Sequence, residues 1–389
     1  MKRILANAAL FVVSMAVALA IGEVVVRALY KDQTVMFPRY HTDYRYGRYT
    51  LRGIRPNAEF RHTSVDGSWT FVTNSRGLRD TREFAYDKPE GTVRVVALGD
   101  SHTQGYEVRQ EATYSAVLER YLTKRGVRAE VLNAGVSGFS TAEALAFLEN
   151  EGYKYRPDVV VLGFYANDYE DNLKAGLFSL ESGRLVERKF EHLPGVRIQN
   201  AIYAVPGAQW LSENSYLYSM AFNGAWTYFK TALAARSGAE FEYAVATKAR
   251  HSEAEVALAV ALIERMREFC EKNAMRLIVV DIPRPAGRGA APSLAPEAVR
   301  GIELVASGEL LREVDGAAEL HVGHGHNHIS ELTHALIGVE LGRRIAERLT
   351  ERESYAAAAS ASAFSSVRSH ACALAMSRAS SCSPSGHAP

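Results

Sequence analysis

The sequence predicts an α/β fold built around a parallel sheet, and three observations carry that prediction. From Val93 onward, short β-branched runs alternate with stretches of helical periodicity, the pattern of strands joined by crossover helices. Successive runs end in polar turns, as in VRVVALGDSHTQG and GFYANDYEDN. Of 3 cysteines in 389 residues only Cys270 lies between the two ends of the chain, so a packed core rather than a disulfide framework must hold the body together.

Lys2 and Arg3 precede an apolar run from Ile4 to Ile21 broken only by Asn7 and Ser14, and Glu23 and Arg27 restore charge beyond it. Residues 1–30 therefore read as a signal anchor or a signal peptide. About 18 to 20 apolar residues can span a bilayer, whereas Ala18-Leu19-Ala20 offers a small-x-small cleavage site. Either way Lys2 and Arg3 stay in the cytoplasm and the body crosses the membrane. The expected location is the cell inner membrane, single-pass with the folded part outside the cytoplasm, or the periplasm or medium if the signal is cleaved. With 45 Lys+Arg against 44 Asp+Glu the chain is near neutral, which points away from a nucleic-acid partner.

Residues 36–90 are aromatic and turn-rich, and short alternating pieces such as SWTFVTNSRGLRD predict a β-rich extension. In the main body, 91–350, the predicted strands are Val93–Leu98, Glu130–Leu132, Asp158–Leu162, Arg276–Val280 and Glu319–Val322. Ala112 to Arg125 is helical by its Tyr114, Val117, Leu118, Tyr121 and Leu122 spacing, and Ser140 with Glu143 and Ser252 with Glu255 fit capping boxes. Residues 171–250 interrupt the alternation as an insertion dense in aromatics, among them Trp210, Tyr216, Tyr218, Phe222, Trp226, Tyr228 and Phe229. This insertion is either a lid or acceptor surface or ordinary packing. Residues 351–389 form an Ala/Ser-rich tail, 21 of the 34 residues from Ala356 to Pro389, and are expected to be disordered.

Four places carry chemistry. Gly99-Asp100-Ser101 ends the first strand of the sheet, where open α/β sheets keep their sites, so Ser101 would present its hydroxyl and its N–H to one point. Asn133-Ala134-Gly135 follows the second strand and Asn167-Asp168 the third, all at one sheet edge. The N–H groups of Ser101 and Gly135 with the Asn167 amide would form an oxyanion hole, and Asp100, Asp168 and His326 would support the site. Each has a bland reading as well: Ser101 as a turn or cap serine, Gly135 as a turn glycine, Asn167 as an Asx-turn residue. The fourth place is ELHVGHGHNHISELTHALIGVELGRRI, with His321, His324, His326, His328 and His334. A serine nucleophile needs a neighbouring imidazole, and His328 fits because Ser330 can cap the following helix. His102 is a poor base, since neighbours on a turn usually point apart.

This ordered set resembles the SGNH/GDSL hydrolase family over roughly Val93 to Leu349, with the Ser, Gly, Asn and His of the name falling on Ser101, Gly135, Asn167 and His328. NSRGLRD, a short linker and the strand to Ser101 are similar to membrane-anchored bacterial members. The resemblance implies a flavodoxin-like three-layer α/β/α sandwich and hydrolysis of acyl esters by a carboxylic ester hydrolase, with no metal or other cofactor. The family usually has Asp three residues before its histidine; here Gly325 stands there, followed by His326 and Asn327. A Ser–His dyad oriented by a backbone carbonyl, a carboxylate from Asp315 or Glu331, or a degenerate site would each account for that.

The expected function is that of an exported or membrane-anchored serine esterase or deacetylase acting on a small-molecule or glycan acyl ester. The alternatives are an O-acyltransferase of cell-surface polysaccharide, a catalytically degenerate binding protein, and a metal site on His321, His324, His326 and His328, whose x-His-x-His alternation would put several imidazoles on one side of a strand.

Overall fold

The computed structural model describes residues 1–237, 251–287, 289–294, 299–324 and 327–351. Helix α1 (Lys2–Leu29) comes first, followed by two hairpins, β1 (His41–Tyr46) with β2 (Tyr49–Ile54) and β3 (Glu59–Ser64) with β4 (Gly67–Val72). The main body runs β5 (Val93–Leu98), α2 (Ser101–Gln104), α3 (Tyr114–Lys124), β6 (Ala129–Asn133), α4 (Thr141–Asn150), β7 (Val159–Phe164) and α5 (Asp168–Ala175). Next come β8 (Phe178–Glu181), β9 (Arg184–Glu187), β10 (Glu191–His192), α6 (Val196–Tyr203), α7 (Ala208–Asn214) and α8 (Tyr216–Ser237). The chain resumes with α9 (Glu253–Lys272), β11 (Arg276–Asp281), β12 (Arg284–Ala286), β13 (Gly289–Ala291), β14 (Glu303–Val305) and α10 (Ser307–Leu310), and α11 spans residues 331–351.

Five strands form the central sheet in the order β6-β5-β7-β11-β14, every pair parallel. Counted from β5 this is the order 2-1-3-4-5 of flavodoxin-like folds, in which the chain changes direction across the sheet at β5 and β7 and leaves a crevice at their carboxyl ends. The strands are apolar throughout because both faces are covered. Val95 and Ala97 of β5 pack into a layer with Tyr114, Leu118, Ile337 and Leu341, whereas Val96 and Leu98 face the opposite layer with Leu145, Leu262 and Met266. Helices α3 and α11 therefore cover one face, and α4 and α9 the other.

Both predicted capping boxes are present: Glu143 accepts from the Ser140 N–H at 2.7 Å and Glu255 from the Ser252 N–H at 2.6 Å. The expected strand Glu319–Val322 is corrected. The fifth strand is β14, because Glu303–Val305 aligns with Ile278–Val280 at the open edge of β11, while His321 makes only an isolated bridge to Ile329. Residues 319–322 instead close the loop that carries His328.

The first hairpins share the core of the α4/α9 face, with Tyr40, Phe60 and Phe71 stacked at 4.6 and 5.3 Å. Residues 191–192 add a parallel strand to β2, so part of the stretch expected as an insertion completes the N-terminal sheet. Its aromatics divide between packing and exposure: Phe222 and Trp226 lie against the Arg39 guanidinium, whereas Trp210, Tyr228 and Phe229 are exposed. Helix α1 has a mean hydropathy of 2.5 over its best window and is almost wholly exposed. Its far end is fixed, since Glu23 accepts from the Ser215 hydroxyl at 2.8 Å and from the Tyr216 and Leu217 N–H groups at 3.0 Å, capping α8. The tail from residue 352 onward and residues 238–250 of the insertion lie outside the described residues.

Candidate active site

Strand β5 delivers Ser101 to the sheet edge through Gly99, whose φ of +147° and close neighbours exclude a side chain: a Cβ there would lie 2.2 Å from Thr103 Oγ1 and 2.7 Å from the Gly163 carbonyl. Asp100 caps the short α2, its carboxylate accepting from the His102 N–H at 2.8 Å. Burial pushes the Asp100 carboxyl up to about 6, partly offset by that N–H.

The loop before α11 brings His328 to Ser101, with Nε2 2.8 Å from Oγ. That loop is pinned from both sides. The Val322 N–H donates to the His328 carbonyl at 2.8 Å, the Ser330 N–H donates to Leu320, and the Ser330 hydroxyl accepts from the Thr333 N–H at 3.4 Å, as expected of a cap. Tyr106 and His102 flank the His328 ring at centroid distances of 4.7 and 4.9 Å. His102 itself turns away from Ser101: its ring packs on Tyr165 at 4.0 Å, its Nδ1 accepts from the Ile329 N–H, and burial holds it well below the usual imidazole range.

Gly135 and Asn167 reach the same edge. A Cβ on Gly135 would lie 2.3 Å from the Gln104 nitrogen, so glycine is what lets this turn close on α2. Its N–H donates to Asn133 Oδ1 at 3.1 Å, and Asn167 Nδ2 donates to Asp171 at 3.1 Å, so both donors are engaged within the protein. Asp168 is a fastener between elements: it accepts from the Thr141 N–H and hydroxyl and from the Tyr165 N–H, tying α4 to the β7 turn, and burial raises its carboxyl well above the ordinary range.

The histidines of the C-terminal stretch diverge. His321 bonds the Pro283 carbonyl at 3.0 Å, His324 meets Asp66 of the β3–β4 turn at 2.9 Å, and His334 accepts from the Tyr114 N–H at 3.1 Å. Among the described residues no group of three His, Cys, Asp or Glu side chains is arranged to hold a metal ion, while His326 lies outside them. The two carboxylates named among the alternatives for orienting His328 are engaged elsewhere. Asp315 accepts from the Ala290 N–H, and Glu331 is drawn into a bidentate pair with Arg109. The carboxylate beside His328 is Glu107, with Oε2 3.5 Å from Nδ1. No spacing rule points to it, because it sits neither three residues before the histidine nor in a strand-end turn.

A sequence profile of the GDSL-like lipase/acylhydrolase family matches residues 97–301, which takes in Ser101, Gly135 and Asn167 and stops short of His328. An arylesterase of Vibrio mimicus is 30% identical over 79 residues, 20% of this chain, and the match spans 40% of that relative's length. Among solved structures, a lipolytic protein of the G-D-S-L family from Desulfitobacterium hafniense DCB-2 shares 16% identity, with 64% of this chain and 98% of that one covered and a TM-score of 0.33. A lipase/acylhydrolase from Enterococcus faecalis shares 18%, with 66% and 96% covered and a TM-score of 0.37. More than half of the chain lies within the profile match, and the chain belongs to the GDSL-like lipase/acylhydrolase family.

Proposed function

We propose that the chain is a membrane-anchored serine esterase in which Ser101 is the nucleophile and His328 the general base. The observation that carries this reading is the 2.8 Å contact between His328 Nε2 and Ser101 Oγ, made at the strand-order switch point by residues 227 positions apart. As Ser101 Oγ bonds to the ester carbonyl carbon, its proton passes to His328 Nε2. The carbonyl oxygen becomes an oxyanion that the Ser101 and Gly135 N–H groups and the Asn167 amide would receive, the latter two giving up their internal acceptors. Collapse breaks the bond to the alcohol, which leaves with the proton from His328. Water then attacks the acyl-serine with His328 again as base, releasing the carboxylate and restoring Ser101. A sugar hydroxyl in place of that water would make the same site an acyltransferase. The anchor is supported by the continuity of α1 from its apolar run into the Glu23 contacts with α8; export of the body follows from Lys2 and Arg3.

A fluorophosphonate probe tests the reading on the full chain in detergent. Labelling of the parent that disappears in Ser101→Ala and falls about 10⁶-fold in rate in His328→Ala is the expected result. A folded parent that takes no label overturns it.

A further inference from the structure

Resting on the reading of Ser101 and His328 as nucleophile and base, we propose that Glu107 is the carboxylate that positions His328, and that His62 of the N-terminal hairpin holds Glu107 to that task. Glu107 uses one oxygen for each imidazole. Its Oε2 lies 3.5 Å from His328 Nδ1, the ring nitrogen turned away from Ser101, and its Oε1 lies 3.9 Å from His62 Nε2. The Glu107 side chain is 1% exposed and that of His62 0%. A carboxylate is retained at such depth only when paired, and here the facing groups are two imidazoles from opposite ends of the chain.

The backbone around Glu107 is held to the same end. Its φ of +60° lies in the left-handed region, where a glutamate costs conformational energy and persists only if the surroundings impose it. Arg79 imposes it. Its buried guanidinium donates to the carbonyls of Gln104, Gly105 and Val108, on both sides of Glu107. The Tyr106 ring lies 4.7 Å from His328 and 4.6 Å from His62, and Phe37 and Trp69 close in on His62 at 5.2 and 5.5 Å. Glu107 thus acts through His328. It keeps the proton on Nδ1 so that Nε2 offers its lone pair to Ser101, and it balances the imidazolium once Nε2 is protonated. The β3–β4 hairpin becomes part of the machinery of a sheet to which it does not belong.

The test compares the parent, Glu107→Gln and His62→Gln as full chains, with p-nitrophenyl acetate as substrate, a fluorophosphonate probe and a melting curve for each. For Glu107→Gln the expected result is kcat lower by about 100-fold or more with KM little changed. The acid limb of its pH–rate profile also moves to lower pH, because an imidazolium deprived of a facing carboxylate gives up its proton more readily. Among the described residues, Asp100, His102, Tyr106, His62, His321, His334 and Arg79, the other titratable or charged groups facing this pair, are intact in that variant, so the shift reports Glu107. His62→Gln is expected to lower kcat about tenfold with the same direction of shift. A loss of packing alone would lower the melting temperature without moving the limb. A folded Glu107→Gln with parental kcat and acid limb overturns the proposal. If Glu107→Gln does not fold, His62→Gln decides, and unchanged kcat and limb there overturn it. A parent that takes no probe overturns instead the esterase reading beneath it.

Discussion

At the carboxyl edge of the parallel sheet, the polar residues near Ser101 sit just past strand ends and are held by near neighbours: Asp100 by the His102 N–H, Gly135 by Asn133, Asn167 by Asp171. In residues 36–90, the groups that back the same site come from the middle of strand β3 and from an irregular stretch, and they act on a turn far along the chain: His62 on Glu107, Arg79 on the carbonyls of residues 104, 105 and 108. The first set is built wherever the strand ends are built. The second exists only when the N-terminal segment is docked, so the orientation of His328 is tied to the packing of a hairpin outside the sheet. Substituting a residue of the first set should therefore lower rate with little loss of stability, and substituting one of the second should lower both.

Asn167→Ala gives the largest effect expected from the first set. Loss of the proposed oxyanion donor should lower kcat by about 10²–10³. Because Asn167 caps α5 without a side-chain bond to that helix's backbone, stability should change by no more than about 1 kcal/mol. Hydrolysis kinetics with a parallel urea titration check both halves; a large loss of stability with a small loss of kcat would place Asn167 among the structural residues instead.

What could be read in advance divides along the same line. The strands β5, β6, β7 and β11, the two capping boxes and the edge positions of Ser101, Gly135, Asn167 and His328 follow from patterns within a dozen residues, where periodicity, a glycine or a cap is a local physical requirement. Glu107 was invisible because a glutamate between Tyr106 and Val108 reads as a surface residue until tertiary structure supplies His328 on one side and His62 on the other. Glu319–Val322 was misassigned for a related reason. Leu320 does bury, but in the loop behind His328, and the edge of β11 is taken by the short Glu303–Val305. Of the carboxylates named among the alternatives, Glu331 is carried outward to Arg109 by the helix start and Asp315 is held by the Ala290 N–H.

Arg79→Met sharpens the comparison from the other side. The substitution keeps most of the volume and leaves three carbonyls of the 104–108 turn without their buried donor, which should cost about 2–3 kcal/mol in a denaturant titration. The same loosening should lower kcat under conditions where the variant is still folded, because Glu107 lies inside that turn. Stability lost with kcat intact would show that the turn keeps its shape without the clamp and would break the link drawn here between docking and chemistry.

Asp100→Asn is the smallest effect and shows that even the locally built edge carries a cost. The native carboxyl titrates near 6, pushed up first by burial, with the His102 N–H and the nearby His328 pulling the other way and Asp171 adding to the rise. In an unfolded chain it would titrate near about 4. Between those values the folded protein binds more protons than the unfolded one, so stability falls as pH rises through that interval and stays lowered above it. Asparagine keeps an oxygen for the His102 N–H and removes the charge. The variant should therefore match the parent near pH 4 and exceed it at pH 7 by on the order of 2 kcal/mol. Unfolding curves at the two pH values check this, and an equal difference at both would remove the carboxyl from the account. The rate should fall at the same time, since the charge that burial makes costly lies on the same strand end as Ser101 and acts on the imidazole proposed to take its proton.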